Sequence, residues 1–399
     1  MKIWKVGGAV RDALMGRPVS DIDWVVTGST PDEMVSAGYT PVGRDFPVFL
    51  HPTTKQEYAL ARTERKTAPG YHGFVFHTDA GVTLEDDLQR RDLTINAMAQ
   101  DEAGVITDPY GGQRDVKAKL LRHVSTAFAE DPVRILRVAR FAARFDDFEV
   151  AAETQTLMCA MVQAGEVDAL IAERVWQELS RGLLEDHPSR MFDVLHDCGA
   201  LSRLLPEIDA DWQHAGIDAN PLRRAIDLSA RRGAPLSVRF AVLTHRLDVR
   251  DQALSATAPA KPSTLRSLCE RWRVPSDCRE VAEGVAREHS AVQRSPNMQA
   301  EDLIRLLDRL DAWRRRERFD LMLTACDCIE GAKAVGESSM RGTSHVRLRR
   351  AWARAAAVDA GAAAKLAAGQ GLQGSAVAAA VHAARVRAVE DTLNDEPND

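Results

Sequence analysis

Short apolar runs bounded by Gly, Pro and Asp mark the first third of the chain. IWKV, DWVVTG, PVFLH, EYALA and GVITDPY each read as a strand. Helical spacing places one helix at Ala9–Met15 and another around Leu93–Ala99. From Glu130 the period changes. In DPVRILRVARFAARF, Val133, Leu136, Val138, Phe141 and Phe145 recur near 3.6 residues, with arginines on another face. Asp131–Pro132 predicts the helix start, with an acidic cap and Pro at the first helical position. Helical patterns continue through ERVWQELSRGLL, PSRMFDVLHDCGALSRLLPEI, PLSVRFAVLTHRL, STLRSLCERWRV and AEDLIRLLDRLDAWRRRERFDLMLTAC to an Ala-rich C-terminal stretch. SATAPAKPST, Ser255 to Thr264, reads as a linker, and no internal repeat is present. The pattern predicts a head of mixed strands and helices followed by a long helical body and tail.

A chain of 399 residues has room for two or three domains, and a hydrophobic fraction of 45% supports a sizeable core. The net charge of -6 does not advertise a nucleic-acid binder, but the charge is uneven. Between Arg114 and Arg144 eight Lys/Arg stand against three acids, whereas the last ten residues carry five acids and no base, as a solvated tail does. The six cysteines form no CxxC pair and are too sparse for a disulfide framework, so they read as reduced thiols. MKIWKVGG lacks the apolar core of a signal peptide. The longest uncharged run, Leu366–Ala384, is long enough to span a bilayer, but its glycines, glutamines, serine and histidine favour helix or loop. A cytoplasmic protein with no membrane segment is expected.

Candidate chemistry begins in GGAVRDALMGRPVSDID, Gly7 to Asp23. If DIDWVV is a strand, Asp21 and Asp23 share a face, their Cα atoms about 6.6 Å apart, while Ile22 turns to the core. Two converging carboxylates suit Mg²⁺, which takes its remaining ligands from waters and substrate phosphates. Gly7–Gly8 lets backbone approach a triphosphate, and Arg11, one turn into the following helix, can pair with its oxygens. The bland alternative is a tight turn followed by an exposed polar loop. The stretch lacks the G-x-G-x-x-G dinucleotide fingerprint.

EDPVRILRVAR is the second constellation. Asp131 and Arg134 are three apart, and Arg137 and Arg140 extend the row. A carboxylate accepts hydrogen bonds and a guanidinium only donates them. Side by side they match an amino group next to a ring-nitrogen acceptor, as on cytosine and adenine. Guanine and uracil present the reverse order, so such a pair selects CTP and ATP without a nucleic-acid template. The alternative keeps Asp131 as a helix cap and the arginines on a solvated face.

Together these segments resemble the class II CCA-adding enzymes (bacterial tRNA nucleotidyltransferases), most closely the proteobacterial branch. The resemblance runs through GGAVRD, DID, GRDFPVFLHP, EYALARTERK, EDDLQRRDLTINAMA, DPYGG, EDPVRILRVARFAARF and ERVWQEL, nearly all of the first 205 residues. It implies an α+β fold: a nucleotidyltransferase palm over 1–125, a helical neck and body over 126–208, and a helical tail over 209–399. It implies Asp21 and Asp23 as catalytic magnesium ligands, and Gly8 and Arg11 on the nucleotide phosphates. Arg91 is expected to bind nucleotide with Asp92 near the ribose. Asp131 and Arg134 become the base readers with Glu130 as buttress, and Arg137 and Arg140 complete the site. TERKTAPGYHGF resembles the loop associated with changing from CC to A addition. The implied partners are CTP, ATP and tRNA, the last held by its 3′ end, acceptor stem and elbow. The implied oligomeric state is monomer or homodimer.

One departure concerns the second half. Many proteobacterial relatives carry an HD phosphohydrolase domain there, within about 220–330 of this chain, but at the His-Asp position LTHRLD has Arg246 after His245. Arg223 and its neighbours replace the upstream histidine, and TAPAKPST replaces the segment where further histidines are expected. The expectation is a retained helical scaffold without hydrolase activity. Two other functions share the head motifs: a bacterial poly(A) polymerase, and a catalytically silent RNA-binding relative.

Overall fold

In the strand β2 (Asp23–Thr27), Val25 and Val26 point to opposite faces and both are buried. That period-2 alternation gives the head one apolar cluster on each face of its sheet. Val25 packs with Val6, Ala61, Leu88, Ala97 and Ala99. Val26 packs with Met34, Tyr39, Phe49, Tyr58 and Leu60. The computed structural model of the chain is described over residues 1–19, 21–42, 48–66, 74–77, 80–213, 220–249, 264–333 and 345–394. It divides into two compact units, Met1–Pro206 and Glu207–Asp399.

In the first unit the strands are β1 (Lys2–Val6), β2, β3 (Thr40–Val42), β4 (Val48–Leu50), β5 (Glu57–Leu60), β6 (Thr63–Lys66), β7 (Phe74–His77), β8 (Ala99–Gln100) and β9 (Ile106–Thr107). Seven make one mixed sheet in the order β3-β4-β5-β2-β1-β8-β9, while β6 and β7 pair as a separate hairpin. Within this sheet only β2 and β5 run parallel, with Trp24 opposite Tyr58 and their rings stacked; a separate parallel pair joins Leu120–Leu121 to Glu149–Val150. The helices of this unit begin with α1 (Gly8–Leu14), α2 (Pro31–Ser36), α3 (Leu84–Gln89) and α4 (Gly112–Ala118). They continue with α5 (Val133–Arg144), α6 (Ala152–Gln163), α7 (Ala172–Leu184) and α8 (Pro188–Asp197), two shorter helices following. Helix α5 packs against α7 and α8, and its Phe141 and Phe145 rings stack one turn apart.

Three expectations change in detail. The segment around Leu93–Ala99 is a 3₁₀ turn, Thr94–Asn96, and then β8: the Asn96 N–H bonds back only three residues to the Leu93 carbonyl, and Ala99 pairs with Val6 of β1. Tertiary pairing overrides the local helical spacing. Helix α5 begins at Val133 with Pro132 as its cap, one residue later than predicted. Strand β2 begins at Asp23, so Asp21 precedes it and the shared-face argument does not reach Asp21.

In the second unit, helices Pro221–Arg231, Leu236–Thr244, Ser276–Arg294 and Arg316–Gly331 pack on one another. Ala300–Arg309 and Val346–Ala356 pack against the C-terminal helix Ser375–Asn394. The uncharged run Leu366–Ala384 divides between helices Ala360–Gly369 and Ser375–Asn394. No helix among the described residues is long and apolar enough to cross a membrane. The centre of the proposed CC-to-A loop, 67–73, and most of the linker, 255–263, lie outside the described residues.

Candidate active site

A cleft of about 630 Å³ lies in the first unit between the start of the sheet and helices α5 and α7. Ten arginines and four carboxylates line it: Arg11, Arg62, Arg90, Arg91, Arg134, Arg137, Arg140, Arg144, Arg174 and Arg181, against Asp23, Asp92, Asp131 and Glu178. This excess of fixed positive charge suits a polyanionic ligand.

The floor is the turn between β1 and α1. Gly7 has φ +67° and ψ -129°, and a Cβ there would stand 2.9 Å from Arg91 Nη1 and 4.0 Å from Asp23 Oδ2. Glycine is therefore required on two counts, backbone conformation and clearance for Arg91. Asp23 and Arg91 meet across this turn. Arg91 donates through Nη2 to Asp87 Oδ2 at 3.2 Å, and its buried Nε has no hydrogen-bond partner. The fully buried Asp87 also pairs with Arg90. Burial opposes the Asp87 charge, yet the two arginines hold its carboxyl below the usual range. Asp21 is exposed just before β2 and does not line the cleft.

Arg11 is 2% exposed. Its Nε donates to Asp12 Oδ1 at 2.8 Å and its Nη1 to Asn96 Oδ1, and its guanidinium sits over the rings of Phe141 and Phe145. Burial, the largest influence, lowers its pKa, while Asp12 opposes the shift. The other Asp12 oxygen accepts from Arg144 Nη2 at 2.9 Å, which ties α1 to α5.

Asp92 is buried behind the row of arginines. It accepts from the Leu93 N–H, from Asn96 Nδ2 at 3.0 Å and from Arg137 Nε at 2.7 Å. Burial opposes its charge, but Arg137 and these hydrogen bonds hold the carboxyl far below the usual range. Asp92 in turn raises the Arg137 pKa. Arg140 Nε donates to Glu178 Oε2 at 2.7 Å and lies over Phe141.

At the mouth, Asp131 stands one residue before the Pro132 cap; its Oδ1 accepts from Val133 N at 3.2 Å, while α5 has no side-chain cap hydrogen bond, so the predicted cap is displaced by one residue. The carboxylate also faces the cleft, where Arg174 Nη1 and Nη2 grip Oδ1 and Oδ2 at 3.0 and 2.7 Å. Arg134 is buried to 9% and donates to the carbonyls of Ala127 and Arg90 at 2.9 and 2.6 Å. The row is therefore not a solvated face. Gly8, Arg11, Asp23, Arg91, Asp92, Asp131, Arg134, Arg137 and Arg140 come together in one cleft, whereas Glu130, half-buried at the end of the 3₁₀ turn Thr126–Glu130, does not line it. The sequence reading missed Asn96, Asp12, Arg144, Arg174, Gln177, Glu178 and Arg181. The last four sit at i, i+3, i+4 and i+7 of ERVWQELSRGLL, one polar helical face that was legible as such.

Residues 3–122 match the family described as "Poly A polymerase head domain", and residues 147–211 "Probable RNA and SrmB- binding site of polymerase A". A "Multifunctional CCA protein" of Leptothrix cholodnii is 56% identical over 98% of this chain and 96% of its own. One from Acidovorax sp. is 52% identical over 99% and 97%. The chain belongs to the CCA-adding enzyme family. Among solved structures, the Bacillus stearothermophilus CCA-adding enzyme in complex with CTP shares the fold (TM-score 0.68, 23% identity, 98% of this chain, 89% of that one). The Thermotoga maritima CCA-adding enzyme complexed with tRNA does so too (TM-score 0.60, 19% identity, 100% and 88%). The α+β class expected from sequence holds, and family membership favours CCA addition over poly(A) synthesis or a silent RNA-binding role.

Proposed function

We propose that this chain adds and repairs the 3′-terminal CCA of tRNA, using CTP and ATP and releasing pyrophosphate. The observation that carries the reading is one cleft holding Asp23, the Gly7–Gly8 turn, the arginine row and the Asp131/Arg134 pair. The tRNA 3′-hydroxyl attacks the α-phosphorus in line. Arg11, Arg91, Arg137 and Arg140 hold the triphosphate and balance its charge, and Gly8 lets backbone approach it. Asp92 stands behind Arg137 near the sugar. Asp131 and Arg134 face the base edge, with Glu130 behind them. The donor chemistry suits a hard divalent ion: Asp23 would provide a carboxylate oxygen from the cleft, with Asp21, exposed just before β2, as the proposed second ligand, and no group of three or more His, Cys, Asp and Glu competes among the described residues. Asp23 and Asp21 would hold Mg²⁺, which when bound would supply charge neutralisation at the triphosphate and activation of the attacking hydroxyl. The functional divisions are the palm (1–125), neck and body (126–208) and tail (209–399), the basic surface of 114–144 and the tail holding tRNA. The six cysteines are all free thiols, consistent with a cytoplasmic site of action. The working form is a monomer or homodimer.

Asp23→Ala is the direct test. It should reduce labelled CTP and ATP incorporation into tRNA lacking its 3′ end by at least 10³-fold, while tRNA affinity changes less than threefold. Retained incorporation would overturn the assignment.

A second reading concerns the HD position. His245 is 5% exposed, its Nδ1 lies 2.8 Å from the Val242 carbonyl, and its ring meets His289 edge-on at 5.3 Å. Burial, aided by His289, Arg246 and Lys333, pushes its pKa down to about 4. We infer that the histidine pair is a packed remnant and that phosphohydrolase activity is lost. Nickel-stimulated hydrolysis of a 2′,3′-cyclic nucleotide should be undetectable in a preparation active in CCA addition. Hydrolysis abolished by His245→Ala would contradict this.

A further inference from the structure

We propose that Arg174, on α7, is a positioning residue that sets nucleotide choice by holding the Asp131 carboxylate in one acceptor orientation. The inference rests on the base-reading role assigned to Asp131 and Arg134. An ionised carboxylate has about four lone-pair sites and no donor. Arg174 fills one on each oxygen, and the Val133 N–H fills a second on Oδ1. One site remains, on Oδ2, and Asp131 lines the cleft. The forked pair fixes the carboxylate plane as well as its position, which a single contact cannot do. Arg134 is anchored separately, through the carbonyls of Ala127 and Arg90.

The two readers therefore depend on different supports, with different consequences when one is removed. Arg134 donates only, so it asks for an acceptor at the ring nitrogen and opposes the ring N–H of uracil and guanine. The demand for an amino group comes from Asp131 alone. With the fork gone, Asp131 rotates about its side-chain bonds and the penalty against a carbonyl at that position falls. Uracil is then opposed only by Arg134 at its ring N–H, and the discrimination of CTP over UTP falls. A buried polar mismatch discriminates strongly only while the protein partner is held in place. Lysine would keep the charge of Arg174 but not the planar fork.

The experiment uses the full chain with Arg174→Gln and Arg174→Lys, tRNA lacking its 3′ end, and each of the four labelled triphosphates, with kcat and KM measured separately. Arg174 is a quarter exposed at its side chain, so both replacements have room. The expected result is a fall of at least tenfold in the CTP-over-UTP ratio of kcat/KM in both variants. That fall should arise mainly from a higher KM for CTP, and Lys should not restore the ratio. Three results overturn the proposal: an equal loss for all four nucleotides, full restoration of the ratio by Lys, or faster CTP incorporation with an unchanged ratio. Absence of CTP incorporation by the unsubstituted chain would instead refute the functional reading beneath it.

Discussion

Asp92 shows how much of this site depends on a carboxylate that is almost wholly buried. It joins the 3₁₀ turn through Leu93 and Asn96 to helix α5 through Arg137. Asp92→Asn would remove the charge and leave one amide oxygen for three donors, the Leu93 N–H, Asn96 Nδ2 and Arg137 Nε. Breaking a buried ion pair costs about 3–5 kcal/mol; the lower end applies here because the Arg137 side chain is 35% exposed. The carboxyl is depressed in the folded state, so its stabilisation is complete above its ordinary value near 4 and is lost as pH falls through the folded value. Urea unfolding should show the deficit at pH 7, and the gap between the two proteins should narrow below about pH 4. His245 has the opposite charge and the same sign. Its neutral form is favoured by folding, so its contribution is complete above about 6.5 and declines as pH falls to about 4. His245→Gln should flatten the fall in thermal midpoint across that interval; an unchanged slope would mean other groups carry it.

At the scale of elements, the glycine that opens α4 shapes the site from behind. A Cβ on Gly112 would stand 2.3 Å from the Thr94 carbonyl, in the turn that carries Asn96. Gly112→Ala should therefore displace α4 or that turn, with a cost of about 1–3 kcal/mol in unfolding free energy and reduced incorporation. Normal stability and activity would show that the turn yields freely. Five strands of the head and the body of α5 were legible because alternation and 3.6-residue spacing follow directly from burial on one or both faces. The 94–99 segment was not, because its pairing partner Val6 lies more than ninety residues earlier. The same limit hid the partners of the site. Asp131 and Arg134 are visible as a spacing, but Arg174 is forty residues away and becomes adjacent only when α7 packs on α5. Likewise nothing local to LTHRLD announced His289, whose ring is brought to His245 by packing of the helices Leu236–Thr244 and Ser276–Arg294.

Across the whole molecule, the cleft and the proposed base readers lie within Met1–Pro206, and the secondary structure described in the remaining unit is all helical. A net charge of -6 does not oppose the proposed triphosphate site: ten arginines are gathered in the cleft, where Asp92, Asp131 and Glu178 hold Arg137, Arg174 and Arg140. The most direct measurement follows the full chain acting on tRNA that lacks its 3′ end, with product lengths resolved for each triphosphate and for CTP and ATP together. Two additions with CTP alone, a third only when ATP is also present, and none with UTP or GTP are expected. A long A tract, or UTP and GTP incorporated as readily as CTP, would contradict base selection by Asp131 and Arg134.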